Sequence, residues 1–150
     1  MELKSLPIEK LILHYCRNPD LEFINPAIIK SINIYGGGLK DISILKNTNL
    51  DTLEISNTYV TDFSPIQNKN IKTLILISTR IENLEIIQTL PNLETLILTP
   101  NNLKPGWDQI VLKMKNQIKK IGTANYPDNL KSVDKFLAEF QGVDIKNPKR

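Results

Sequence analysis

The sequence contains few of the residue types that most often carry out chemistry. Among its 150 residues are one cysteine, Cys16, and one histidine, His14. A single cysteine excludes an internal disulfide and any metal cluster built from several cysteines. We interpret Cys16 as an inert thiol facing the interior and His14 as a neutral surface side chain. The sequence therefore predicts no cofactor and no bound metal.

The sequence also has no long apolar run. No stretch approaches the roughly 20 apolar residues of a membrane-spanning helix, and the N-terminus lacks the basic region and apolar run of a secretion signal. These absences favour a cytoplasmic location and predict no membrane partner. The length predicts one domain, and the pattern leaves open whether the chain is a piece of a larger protein.

Positive charge is concentrated towards the C-terminus. The net charge is +3, with 9 Lys/Arg and 11 Asp/Glu in residues 1–103 and 10 and 5 in residues 104–150. Four lysines form a basic cluster: Lys113, Lys115, Lys119 and Lys120. No aromatic residues alternate with them, as they do in many nucleic-acid-binding surfaces. We interpret the cluster as a solvated helix face and expect no nucleic-acid partner.

An apolar triplet recurs through the chain at a nearly constant spacing. The triplets are Ile8-x-x-Leu11-x-Leu13, Ile29-x-x-Ile32-x-Ile34, Leu50-x-x-Leu53-x-Ile55, Ile71-x-x-Leu74-x-Leu76 and Leu93-x-x-Leu96-x-Leu98. Their first residues are 21, 21, 21 and 22 residues apart. Self-similarity at this period is typical of a leucine-rich repeat solenoid. The predicted fold is α/β, with a curved parallel sheet of five to six strands, loops or short helices on the convex side and a C-terminal helical cap.

The triplets predict where each element lies. Strands are expected at 10–14, 31–35, 52–56, 73–77 and 95–98, with an edge strand at 119–123. The segments 20–28, 41–48, 62–69 and 83–90 are expected to be short helical turns or extended loops. Residues 1–123 would form the repeat array with its capping helix, and 124–150 a loop, a helix at about 132–141 and a polar tail.

The spacing of the apolar residues changes after the fifth triplet. Trp107, Ile110, Val111 and Met114 are spaced as on one face of an amphipathic helix. This spacing predicts a capping helix near 106–115 that closes the end of the core; the alternative is one helix that continues to Ile121. We recognise no equivalent cap at the N-terminus. The first strand is therefore expected to leave an edge open, either to a preceding domain or to association at this end.

Two columns of mostly polar residues recur between the triplets. The first consists of Asp20, Asp41, Asp62 and Asn83, whose side chains are expected to cap a backbone turn. The second consists of Cys16, Gly37, Thr58, Thr79 and Asn101, at a position whose side chain usually bonds backbone groups inside the coil. Gly37 lacks the side chain that this bond requires.

The segments that follow the triplets resemble a known family. Val60-Thr61-Asp62-Phe63-Ser64-Pro65-Ile66 and Leu39-Lys40-Asp41-Ile42-Ser43-Ile44-Leu45 are similar to the outer segment of bacterial leucine-rich repeats of the internalin type. This resemblance covers about residues 6–122 and implies a solenoid scaffold. The run Met114-Lys-Asn-Gln-Ile118-Lys-Lys-Ile121-Gly122 is similar to the end of repeat arrays at the C-terminus of some bacterial serine/threonine kinase-like proteins. No kinase motif is present.

The outward residues of the strands, together with a flanking column just after the strands, predict a partner-binding surface on the concave face. The side chains that we assign to it are Ile75, Ile77, Ile97, Tyr35, Tyr59, Arg80, Glu54 and His14. Contiguous exposed apolar side chains usually mark a contact, and aromatic and arginine residues beside them are typical of interface hot spots. The alternative is that the C-terminal segment or a second copy covers these hydrophobes.

We consider three functional hypotheses. The first is a non-enzymatic module that binds a protein on the concave face, and the second is an accessory or regulatory C-terminal domain of a larger enzyme such as a kinase-like protein. The third, an enzyme, has the least support. Glu54 is expected roughly 10 Å from His14, two strands away, which is beyond hydrogen-bonding distance. Gly36-Gly37-Gly38 lacks the Lys-Ser/Thr of a phosphate-binding loop.

Overall fold

A computed structural model describes residues 6–17 and 19–140. Within these residues the chain is α/β, with one open parallel sheet of six strands in the order of the sequence. The strands are β1 (Lys10–His14), β2 (Ser31–Tyr35), β3 (Thr52–Ser56), β4 (Thr73–Leu76), β5 (Thr95–Leu98) and β6 (Lys120–Gly122). The helices are α1 (Trp107–Lys113) and α2 (Val133–Phe140). The predicted strand positions are confirmed to within one residue for β1–β5, and the arrangement is compatible with a solenoid.

Equivalent triplet residues pair across the sheet and form its core. Leu53 pairs with Leu74, Leu74 with Leu96, and Leu96 with Ile121, and each of these side chains is fully buried. The neighbouring row, which includes Ile55, Leu76 and Leu98, lies on the same face because alternate residues of a strand share a face. This face of the sheet packs against the crossover segments, and we refer to it as the core face.

Short 3-10 helices form part of the crossovers, at Ser43–Asn47, Ser64–Ile66 and Glu85–Thr89. Each follows an Asp or Asn whose Oδ1 accepts a hydrogen bond from the backbone N–H two residues ahead. The distances are 2.7 Å from Ser43 to Asp41, 2.8 Å from Ser64 to Asp62 and 2.9 Å from Glu85 to Asn83. The expectation that this column caps backbone turns is confirmed. The backbone hydrogen bond from Ser64 holds the pKa of Asp62 below its ordinary value.

The loop after each of the first four strands contains a residue in a left-handed backbone conformation at the equivalent repeat position. These residues are Tyr15, Gly36, Asn57 and Ser78, with φ between 51° and 70°. The equivalent position after β5 is Pro100, whose ring fixes φ near −65°. The column therefore ends there, and a 3-10 helix begins at Pro100 instead.

In the second column, which begins at Cys16, the side chains were expected to bond backbone groups, and only some of them do so. The Thr79 hydroxyl donates to the Leu76 carbonyl oxygen at 3.4 Å, but Thr58 Oγ1 has no partner among the described residues. At Gly37 a Cβ would lie 2.1 Å from the Cys16 carbonyl oxygen, so a side chain is excluded there. The expectation for Asn101 is wrong. Its side chain is exposed, and it is Asn102 that donates from Nδ2 to the Thr79 carbonyl oxygen at 2.7 Å.

Helices α1 and α2 close the C-terminal end of the core. The rings of Trp107 and Phe136 meet edge to face with centroids 6.4 Å apart. Val111 and Val133 are buried in the same cluster as the sheet core. The alternative of one helix continuing to residue 121 is wrong. The chain leaves α1 at Lys113 and returns to the sheet as β6, where residue 121 pairs with Leu96 instead of extending the helical stripe.

The N-terminal edge of the sheet is less completely covered. Leu11 of β1 is 9% exposed, whereas Leu74 in the same row is fully buried. Ile8 and Leu13 are only partly buried against the core. Among the described residues no helix is long and apolar enough to cross a membrane. Residue 141, the last of the predicted final helix, and the predicted polar tail that follows it lie outside the described residues.

Candidate partner-binding surface

Two rows of side chains cross the face of the sheet opposite the core, which we call the second face. The first row, by strand pairing, is Ile12, Asn33, Glu54, Ile75, Ile97 and Gly122. The other row begins with His14, Tyr35 and Ser56 and continues through Ile77 and Thr99. Most of the residues that the sequence assigned to partner binding lie in these rows.

The expected exposure of the central hydrophobes is wrong. Ile75 is 2% exposed and Ile97 fully buried, although neither belongs to the core cluster. The partner of Ile97 in the sheet is Gly122. A Cβ on Gly122 would lie 2.6 Å from Asn129 Oδ1 and 3.1 Å from Leu130 Cδ2. Because paired residues share a face, the segment at 129–130 lies over the second face beside Ile97 and shields it.

The covering segment is held by its own hydrogen bonds. The backbone N–H groups of Thr123 and Ala124 donate to Asn129 Oδ1 at 2.7 and 2.9 Å. Lys131 pairs antiparallel with Ile121 at the edge of the sheet. Helix α2, which follows, packs on α1 and β6. The loop before α2, and not the helix, therefore lies against the second face at this end.

The polar residues in the middle of the second face bond to one another. Asn33 donates from Nδ2 to Glu54 Oε2 at 2.9 Å, and the Ser31 hydroxyl donates to Asn33 Oδ1 at 3.1 Å. The carboxylate of Glu54 is thus engaged by Asn33, one strand away. Ser56 is fully buried, and its Oγ accepts a hydrogen bond from the Ile77 N–H at 3.3 Å. Ile77 itself is half-buried.

Exposed aromatic and apolar side chains gather at the β1 end of the second face. The ring of Tyr35 lies 6.3 Å from that of His14 and 5.5 Å from that of Tyr15, both edge to face. Tyr15 is 68% exposed and Ile12 is 52% exposed. We call these four residues the aromatic patch. Its central ring, Tyr35, is half-buried and contacts both His14 and Tyr15.

Sequence reasoning did not identify Tyr15. It occupies the left-handed position that Gly36, Asn57 and Ser78 occupy in the other repeats. A bulky side chain is sterically unfavourable there, whereas Gly and Asn are common. The repeat alignment contains the signal, because a tyrosine is out of place in that column. A Cβ on Gly36 would lie 2.7 Å from Tyr15 Cδ1, so Gly36 makes room for the ring.

The pKa of the Tyr15 phenol is raised above its ordinary value. Hydrogen bonding with the side chain of Tyr35 is the main cause, followed by charge repulsion from Tyr35. The Tyr15 phenol is therefore neutral near pH 7.

Tyr59 and Arg80 form a second exposed group on the loops after β3 and β4. The Arg80 guanidinium lies over the Tyr59 ring, 4.2 Å from its centroid. Tyr59 is 47% exposed. An open pocket of about 520 Å³ separates this pair from Arg17, on the loop after β1. The pair and the pocket continue the aromatic patch along the loops at the carboxyl ends of the strands.

Cys16 and the basic cluster of lysines make contacts within the protein. The Cys16 thiol is half-buried and lies 3.7 Å from the His14 carbonyl oxygen. Two lysines of the basic cluster are ion-paired, Lys119 with Glu94 at 2.7 Å and Lys115 with Asp134 at 3.8 Å. The described residues contain no group of His, Cys, Asp and Glu side chains able to hold a metal ion.

Comparison of the chain with protein-family models, with curated proteins and with solved structures found no match in any of the three.

Proposed function

We propose that this chain is a leucine-rich repeat module without enzymatic activity that binds a protein partner through the aromatic patch and the adjoining loops. The observation that carries this proposal is the exposure of Tyr15 and Ile12 beside the rings of Tyr35 and His14, which meet edge to face. Exposed aromatic side chains held in mutual contact are the usual centres of binding energy in protein interfaces.

The repeat assignment is supported by period and register. The strands recur every 21 or 22 residues, and equivalent residues pair from β1 to β5. The outer segments also resemble the internalin-type repeat around Asp41 and Asp62. In a solenoid the second face is the concave surface, along which repeat proteins bind their partners. The binding surface is then the β1 end of this face, because the β5 end is shielded by the loop at 129–130.

Preorganisation supports the choice of the aromatic patch. The left-handed backbone of Tyr15, its contact with Gly36 and its packing on Tyr35 restrict the ring before any partner arrives. A side chain that is already ordered loses less conformational entropy on binding. Exposed Ile12 adds an apolar contact next to the rings.

The test is capture of partners from the native host with immobilised protein. The double variant Ile12→Asp with Tyr15→Ser should lose the captured protein, while its melting temperature stays close to that of the wild type because both side chains are exposed. The matched control is Leu112→Asp with Tyr126→Ser, which removes an exposed aliphatic and an exposed tyrosine elsewhere. If the control loses the captured protein and the patch variant retains it, the aromatic patch is not the binding surface.

A further inference from the structure

We infer that the pocket between Arg17 and Arg80 binds carboxylate groups of an acidic segment of the partner protein, an inference that rests on the proposed function. The pocket lies on the loops that follow β1 to β4. Gly38, Thr58 and Tyr59 contribute to its walls. A second hollow, which shares Gly38, Tyr59 and Arg80, extends it to Lys40.

The charged side chains that line the pocket and its extension are all positive, and Arg80 also borders a neighbouring hollow lined by Glu82 and Glu85. Arg17, Lys40 and Arg80 line the two hollows, and no acidic side chain lines either. None of the three forms an ion pair with a described residue. Among the described lysines elsewhere, some are ion-paired and others are not, and the paired ones are Lys72, Lys104, Lys115, Lys119 and Lys131. What distinguishes the pocket and its extension is that three unpaired cations line them together. The pocket thus gathers cations that the protein itself does not neutralise, which favours an anionic ligand.

The wall of the pocket also contains an unused hydrogen-bonding group. Thr58 is 4% exposed and lines the pocket, and its Oγ1 has no hydrogen-bond partner among the described residues. Buried polar groups are nearly always paired, so an unpaired hydroxyl beside a pocket indicates a partner that the free chain does not supply. In the free chain this oxygen is closed to solvent, so donation to a carboxylate in the pocket requires the Thr58 side chain to rotate first. A hydroxyl then donates readily to a carboxylate oxygen.

The spacing of the cations favours an extended acidic segment over one compact anion. Arg17 follows β1 and Arg80 follows β4, three strand spacings away, which is roughly 14 Å along the sheet. Lys40 follows β2, in the first of the two repeats between them. Successive acidic side chains of an extended peptide can meet such a row one after another. The stacking of Arg80 on Tyr59 fixes one end of the row.

The test uses the full chain and a fluorescein-labelled hexaglutamate peptide, whose binding is followed by fluorescence anisotropy. The triple variant Arg17→Gln, Lys40→Gln and Arg80→Gln should weaken binding by roughly tenfold, since each exposed charge pair contributes modestly. The control variant Lys30→Gln, Lys113→Gln and Lys135→Gln removes the same charge from exposed sites elsewhere and should change affinity by less than about twofold. Equal losses in the two variants would overturn the inference, because they indicate attraction to net charge alone.

A third variant tests the pocket wall without changing charge. Thr58→Val should weaken peptide binding by about threefold, because the bound carboxylate loses a donor, and Thr79→Val should not. Equal affinity of the Thr58 variant and the wild type would remove this pocket from the assignment.

Competition separates the classes of anion. Hexaglutamate should be displaced by unlabelled hexaglutamate, but not by hexaglutamine or by inorganic phosphate at the same concentration. Displacement by phosphate alone would show that the pocket binds small anions and not an acidic segment. Tighter binding of a single-stranded DNA oligomer would show that its ligand is a nucleic acid. If the wild type does not bind the peptide while partner capture still depends on Ile12 and Tyr15, this inference fails and the proposed function stands.

Discussion

The hydroxyl of Thr58 offers the sharpest test of the packing. It is 4% exposed, and its oxygen has no hydrogen-bond partner among the described residues. Leaving a buried hydroxyl unpaired costs about 1–3 kcal/mol. Valine has nearly the same shape, so Thr58→Val removes this cost without opening a cavity. Taking the lower end of the range, we expect the free energy of unfolding to rise by about 1 kcal/mol.

Thr48 provides the matched control. It is also 4% exposed, but its hydroxyl donates to the Leu45 carbonyl oxygen at 2.8 Å. Thr48→Val removes a hydrogen bond that is formed, so the free energy of unfolding should fall by about 1 kcal/mol. The free energies of unfolding of the two variants should therefore differ from each other by about 2 kcal/mol, with Thr58→Val above the wild type and Thr48→Val below it. A threonine-to-valine change of equal burial isolates the hydrogen bond from the hydrophobic effect.

Urea unfolding followed by the fluorescence of buried Trp107 measures both variants. Equal slopes against denaturant would show that the two changes act on the folded state. In a chain of this length each 1 kcal/mol should shift the melting temperature by roughly 2–4 °C. If Thr58→Val destabilises the protein as much as Thr48→Val, the Thr58 hydroxyl is hydrogen-bonded in solution. That result would refute the reasoning here and remove one support for the acidic-segment pocket.

Two further predictions follow from the second face and the crossover turns. Ile97→Asp should lower the free energy of unfolding by at least about 3 kcal/mol, because it buries an unpaired carboxylate. Ile12→Asp, on the exposed part of the same row, should change it by less than about 0.5 kcal/mol; similar losses in urea unfolding would contradict the burial of Ile97. The lowered pKa of Asp62 stabilises the fold above the pKa of the unfolded chain, and this contribution is lost as pH falls through the folded-state pKa. Asp62→Asn should retain the turn, as Asn83 does, so its melting temperature should fall less than that of the wild type between about pH 5 and pH 2. Melting temperatures of the variant and the wild type that fall equally with pH would contradict this account.

The sequence alone predicts the core and the strands of this protein. The triplet at Leu50 recurs at Ile71 and Leu93, and the alternation within each triplet assigns a face to every strand residue. Both rules are local, because the geometry of a strand decides which side chains share a face. The Asp and Asn turns are predictable for the same reason, since the side chain bonds a backbone group only two residues away.

The candidate surface was predictable only in part. Tyr35 and His14 lie in the row that the alternation predicts, whereas Tyr59 and Arg80 lie on the loops beyond the strands. Tyr15 does not follow from the alternation, because it lies just after β1 in a left-handed conformation. The pocket beside Arg80 depends on which side chains remain unpaired, and a repeat pattern does not show this.

Only the tertiary structure decides what covers the second face. Ile97 and Ile12 occupy equivalent positions in the repeat, yet the first is fully buried and the second is 52% exposed. The difference comes from the loop at Asn129 and Leu130, which lies outside the repeats and reaches the sheet beside Gly122. The period of the repeats determines which face a side chain is on. Whether that face is open depends on a contact between distant parts of the chain, which no local rule contains.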